Sequence, residues 1–145
     1  MDTKKLLFGT LAGGIAFFFL GYLFYGVLFS GFFEANQGSA TGVQREEMQF
    51  VWWSLILGNL AFAALLSYVF LKWANIRSFG GGAQAGGVIG LLVGLTWDLT
   101  LYATSNMMTL TGALADAAIF TVMGAITGGI VGLVLGMGKE PAAAA

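Results

Sequence analysis

The chain contains no cysteine and no histidine. The first absence excludes disulfides and thiolate metal sites; the second removes imidazole zinc ligands, haem ligation through histidine and the commonest general base. The expectation is therefore a chain with no metal and no cofactor. Charge is scarce too: 9% of the 145 residues are Asp, Glu, Lys or Arg, against about 25% in an average soluble domain. A soluble fold of this size would need more charge to clothe its surface, whereas a lipid-facing surface needs none. The net charge of −1 gives no electrostatic case for nucleic acid. What is abundant is apolar: 58% of the residues are hydrophobic, and 23 are glycine.

The length allows one domain. A helix needs about 20 apolar residues to cross roughly 30 Å of hydrocarbon. Segments of that kind run at about 6–33, 50–73, 83–103 and 110–137. They are too long for barrel strands and lack inside–outside alternation. The first follows Lys4 and Lys5, as a signal peptide would, but is far longer than the roughly 7–15 residues of such a segment and is followed by no A-x-A cleavage site. It reads as a retained helix. The expected fold is all-α, an integral membrane four-helix bundle whose partner is the lipid bilayer. Of six cationic residues, Lys4, Lys5, Lys72, Arg77 and Lys139 share one side in this topology; Arg45 stands alone on the other, near Glu34, Glu46 and Glu47. Positive charge favours the cytoplasmic side, so both termini are expected there, in a bacterial cytoplasmic (inner) membrane. Trp52, Trp53 and Trp73 lie at span ends, where indole rings anchor at the interface. Residues 34–49 form the one long polar outer loop. Glu46 and Glu47 read as a solvated helix start rather than an acid–base pair. Gly80-Gly81-Gly82 reads as a flexible turn, since the Lys-Ser/Thr ending of a phosphate loop is missing. The tail 139–145 is low in complexity.

The glycines are periodic. Gly82, Gly86, Gly90 and Gly94 recur every fourth residue in the third span, with Asp98 next in register. Gly124, Gly128, Gly132 and Gly136 do the same in the fourth, and stepping back from Gly124 reaches Phe120 and Asp116. Gly9, Gly13 and Gly21 share a register in the first. Lipid supplies no hydrophobic drive between helices, so association relies on close backbone approach, which small residues allow. The third and fourth spans are expected to pack stripe to stripe. Ala12-Gly13-Gly14-Ile15 with Gly21 also matches Ala85-Gly86-Gly87-Val88 with Gly94 at one offset, as a parallel repeat of two-helix units would give.

Polar groups inside the spans are few. Asp98 and Asp116 fall at similar depth, roughly 8–9 Å below the outer span ends at about 1.5 Å per residue, on adjacent helices. Asn59 lies deeper, while Tyr25, Thr100, Trp97 and Tyr102 occupy outer halves. No Lys, Arg or His lies within a span to pair with the acids. Intramembrane acids mark proton and ion paths, so Asp98, Asp116, Asn59, Tyr25 and Thr100 form a candidate proton, cation or polar seam. The structural alternative is hydrogen bonding: Asp116 at the positive end of the fourth helix, Asp98 on Asn59, Thr100 or a tyrosine.

Two stretches carry a resemblance. Leu20-Gly21-Tyr22-Leu23-Phe24-Tyr25-Gly26-Val27-Leu28-Phe29 and Ala115-Asp116-Ala117-Ala118 running into Val122-Met123-Gly124-Ala125-Ile126 resemble an uncharacterised bacterial membrane family, domain-of-unknown-function family 1761. The Pro and Gly-Lys that often follow the first motif in that family are missing here. Trp97-Asp98-Leu99-Thr100 with Ala103-Thr104-Ser105-Asn106 is similar to the hairpin of a second such family, number 2177. The resemblance implies four helices and no known activity.

The functional expectation is non-enzymatic, since there is no nucleophile–base set and no metal-ligand cluster. It is a bundle that associates with itself as a homo-oligomer, or with other membrane protein subunits as an accessory subunit, through glycine faces at Gly86, Gly90, Gly94, Gly124, Gly128 and Gly132. The alternative is a proton- or cation-coupled transporter or channel using Asp98 and Asp116. The topology is directly testable: reporters fused at Ser39, Asn75, Asn106 and the C-terminus should read out, in, out, in, and an external C-terminal reporter would sink the scheme.

Overall fold

A computed structural model describes residues 2–137; the tail 139–145, with Lys139, lies outside them. The fold is all-α. Four helices are long and apolar enough to cross a membrane: Thr3–Leu28, Trp52–Ala74, Phe79–Thr104 and Leu110–Gly136. Large apolar side chains such as Phe8, Phe19, Trp53, Trp73, Leu92 and Trp97 cover their outer flanks. We call the end carrying Thr3, Asn75 and Gly136 the terminal end, and the opposite one the loop end.

Helix α1 (Thr3–Gly21) starts at Asp2, whose carboxylate accepts from the backbone N–H of Lys4 and Lys5 at 3.0 and 3.2 Å. It does not continue unbroken to residue 33. From Tyr22 to Leu28 the helix widens into a π segment, and Phe29 N–H reaches back to Phe24 O at 2.9 Å. Phe29 leaves helical geometry, and a short α2 (Ser30–Ala35) follows. Glu46 and Glu47 are exposed, and a single 3-10 turn covers Glu47–Gln49. Helix α3 proper begins at Trp52, runs to Val69, and widens over Phe70–Ala74. Trp52, Trp53 and Trp73 are exposed at its two ends, as interfacial anchors are placed. Asn75 ends it at φ 48°, the left-handed region that Asn tolerates better than most residues.

Gly80, Gly81 and Gly82 are helical, where the sequence suggested a turn. Helix α4 spans Phe79–Thr104, and Ser78 caps it by accepting from Gly81 N–H. The glycines stay helical because the cap stands ahead of them and because Gly82 is pressed against the Gly128 backbone, where a side chain would collide. A tight hairpin leads into α5 (Leu110–Gly136), capped by Thr109 on Gly112 N–H.

α5 is the most enclosed helix. It packs against α4 over its length, against α1, and more narrowly against α3; α1 packs in turn on α3. Between α4 and α5 the contact is backbone on backbone: a Cβ on Gly90 would lie 2.8 Å from Phe120 O, and one on Gly124 would lie 2.5 Å from Gly86 O. Gly94 faces Ala117, and Gly132 faces Gly82 and Ser78. α1 is different. A Cβ on Gly13 would meet Val131 and Ala63 side chains, and one on Gly14 would meet Leu60. So α1 and α4, each matched in sequence and each followed by an antiparallel partner, use their glycines against different surroundings. The core of buried residues is Phe17, Phe62, Leu66, Phe70, Ile119, Met123, Val131 and Leu135. Phe17, Phe62 and Phe120 meet ring to ring at 4.6–5.2 Å.

Gly124→Ala should lower stability by about 1–3 kcal/mol, the usual cost of overpacking a tight contact. Gly58→Ala, where a Cβ meets nothing within 4 Å, should leave stability equal or gain up to about 1 kcal/mol of helix propensity. Unfolding in detergent micelles measures both; equal effects would contradict the backbone contact.

Candidate functional site

Asp98 continues the Gly82–Gly94 register by one more turn, so the backbone contact that buries those glycines also carries its carboxyl into the α4–α5 seam. It is 2% exposed, and its Oδ1 has no hydrogen-bond partner. Across the seam, Asp116 of α5 is the neighbouring ionisable group of Asp98. The third member comes from the π segment that continues α1. Tyr25 sits in the π segment, and its hydroxyl donates to Asp116 Oδ1 in a short hydrogen bond. A π turn re-aims the side chains that it carries, and such turns recur at functional sites. Tyr25 is half-buried, and its ring lies 5.3 Å from Phe33 of α2. Three helices thus converge on two carboxyls and a phenol. Two neighbouring buried carboxyls with no cation beside them can share a proton, so the arrangement is chemically equipped to hold and exchange one.

Two expected members of the seam stay apart from it. Asn59 donates to Leu55 O on its own helix at 2.6 Å; α3 packs mainly on α1, which keeps the amide away from α4. Thr100 is exposed on the outer flank of α4, because it stands two residues on from Asp98 and so on another face. Asp98 therefore bonds to neither. Asp116 is the seventh residue of α5, beyond its first turn, and its partner is Tyr25 rather than the helix end; Thr109 holds the cap instead. The helix-packing glycines, Gly86, Gly90, Gly94, Gly124, Gly128 and Gly132, all lie inside this one chain, in the α4–α5 contact.

Sequence reasoning missed two buried hydroxyls, Ser67 and Thr127, both 0% exposed and without partners. They belong to the α1–α3–α5 seam toward the terminal end, where Ser67 Oγ would lie 2.8 Å from a Cβ on Gly9. The available signal was register: Ser67 stands one turn from the buried Ala63, and Thr127 adjoins Gly128. Lys5 and Arg77 are remote from the acids. Lys5 Nζ donates to Met137 O at 3.3 Å and Arg77 Nη1 to Leu135 O at 3.2 Å, about 28 Å along α5 from Asp116 at about 1.5 Å per residue.

The fold and its apolar flanks define a multi-pass α-helical membrane protein. No family model, no curated protein and no solved structure matches the chain.

Tyr25→Phe should cost about 1 kcal/mol if Asp116 is neutral and up to about 3 kcal/mol if it is charged. Thr100→Val and Asn59→Leu should stay within about 0.5 kcal/mol, as substitutions outside such networks do. Detergent unfolding of the three variants, compared with the parent, distinguishes a three-helix polar centre from a wider seam.

Proposed function

We propose that this is a non-enzymatic integral membrane protein that moves a proton or small cation through the Tyr25–Asp116–Asp98 centre. The observation that carries the reading is Asp98: a fully buried carboxyl with an unpartnered oxygen, facing a second acid, with no cation on the same helices nearby. Structural glue has no need of a second acid, since each further carboxyl buried in hydrocarbon adds desolvation cost. The lack of His and Cys, and of a nucleophile–base set, speaks against catalysis. The charge asymmetry supports a bacterial cytoplasmic membrane with both termini in the cytoplasm.

A second reading is an accessory subunit or homo-oligomer. The glycine stripes do not serve it, because they are consumed inside the chain. Its support is α4, which packs chiefly on α5 and leaves Leu92, Val93, Thr96, Trp97 and Thr100 around a shallow groove on its other side. A monomeric mass in native membrane extracts would remove this reading.

Reconstitution into liposomes tests the leading one. Whichever of proton or sodium flux the parent carries should fall at least about tenfold in Asp98→Asn and Asp116→Asn, the effect of removing a required proton-transfer group. Absence of flux in a folded parent under either gradient would refute it.

A further inference from the structure

At the loop end, the chain that carries Tyr25 goes on to pair with the segment that enters α5. Beyond the π segment, Phe33 of α2 packs on the Tyr25 ring. Asn36 then binds the start of α5 twice: its O accepts from Thr109 N–H at 3.0 Å, and its Oδ1 accepts from the Thr109 hydroxyl at 3.1 Å. Gly112, without a side chain, lets Asn36 O approach; a Cβ there would lie 3.1 Å from it. The pairing continues outward. Gln37 and Met108 form an antiparallel bridge, Gly38 N–H donates to Met107 O at 3.1 Å, and Ala40 N–H donates to Asn106 O at 3.0 Å. Outside this pairing lies a cleft of about 280 Å³ lined by Gln37, Gly38, Thr41, Gln44 and Met107, among others. On the other side of the acids, toward the terminal end, the seam is shut: a Cβ on Gly94 would lie 3.1 Å from Ala117 Cα.

We propose that the Tyr25–Asp116–Asp98 centre is a proton site, loaded from the loop end through a lid made by the pairing of residues 36–40 with 106–109. This rests on the proposed function and adds the ligand class and the side of entry. A proton fits where a metal ion does not. Hard divalent cations take six or more oxygens and retain waters, whereas this centre offers two carboxyls and a phenol that already bonds to Asp116, with the helices tightly packed one turn below. The ionisable groups facing it are Tyr25 from the π segment, Asp98 from α4 and Asp116 from α5. Glu34 of α2 and Tyr102 of α4 are exposed. Binding takes one proton from water at the loop end onto a carboxylate oxygen of the pair; transport releases it on the opposite side, which requires the tight α4–α5 seam below Gly94 to loosen. Tyr25 and Asn36 lie on one continuous stretch of chain, so a change in the Tyr25–Asp116 bond reaches the lid through α2.

The absence of native cysteine makes the lid testable in the full chain. Opposed residues of an antiparallel bridge stand about 4.5–5.5 Å apart at Cα, within disulfide range. A Gln37→Cys, Met108→Cys double variant should therefore cross-link on oxidation. In liposomes the reduced form should carry protons as the parent does. The oxidised form should be at least about tenfold slower and recover on reduction. Gly38→Val acts in the opposite sense, since a Cβ at Gly38 would collide with the Asn106 backbone; it should raise the rate. If cross-linking and Gly38→Val both leave flux unchanged while Asp98→Asn still abolishes it, the lid is overturned and the proposed function stands. Sodium flux lost in Asp98→Asn would overturn the proton assignment alone. A folded parent without Asp98-dependent proton flux overturns both.

Discussion

The polar architecture depends on α4 and α5 touching through their backbones. In lipid, two helices gain nothing from merely hiding apolar surface, so their contact must come from dispersion at short range. Gly86, Gly90, Gly124 and Gly128 make that range available. The same register that aligns them delivers Asp98 into the seam one turn beyond Gly94. Had these positions been leucines, the helices would stand further apart and the two carboxyls would face lipid or water separately. The glycines and the acids are therefore parts of one device: the first set fixes a distance, and the second uses it.

The two ends of the bundle solve opposite electrostatic problems. At the terminal end, the last carbonyls of α5 lack helical partners and carry the negative end of its dipole. Lys5 and Arg77 answer both needs, donating to Met137 O and Leu135 O. Arg77 also braces Asn75 at 3.3 Å, so the turn between α3 and α4 is tied to the end of α5. At the loop end, among the described residues, no cation bonds to Asp98 or Asp116, and the donor to Asp116 is a phenol. Cations neutralise backbone at one end, while acids at the other are left to hydrogen bonding alone.

The four spans were legible in the sequence because hydrocarbon thickness imposes a length and forbids charge, and both show in a single chain. The α4–α5 stripe was legible for a similar reason: a four-residue period in glycine has few other physical uses. Tyr25, Asp98 and Asp116 could be nominated from depth alone, but the placement of Asn59 and Thr100 could not. Depth puts residues in a layer; facing depends on which helices touch, and α3 packs mainly on α1. The helical fate of Gly80–Gly82 was hidden because glycine propensity favours a turn, while tertiary contact with Gly128 and the Ser78 cap decide otherwise. The break at Phe29 was hidden too, since Tyr22 to Phe33 is uniformly apolar and aromatic apart from Ser30 and two glycines.

The wide turn at Tyr22–Leu28 has a consequence for how this chain tolerates change in length. A π segment holds one more residue than the α-helical path between the same two points, and that residue is absorbed locally. Below it, Gly9, Gly13 and Phe17 are fixed by their contacts with α3 and α5; above it, Asn36 is fixed by Thr109. Loss of a single residue between these anchors would straighten the turn without moving either of them. It would still rotate the Tyr25 position away from Asp116. The segment is thus a stretch where the deletion of one residue is silent for the packing of the bundle and decisive for its polar centre.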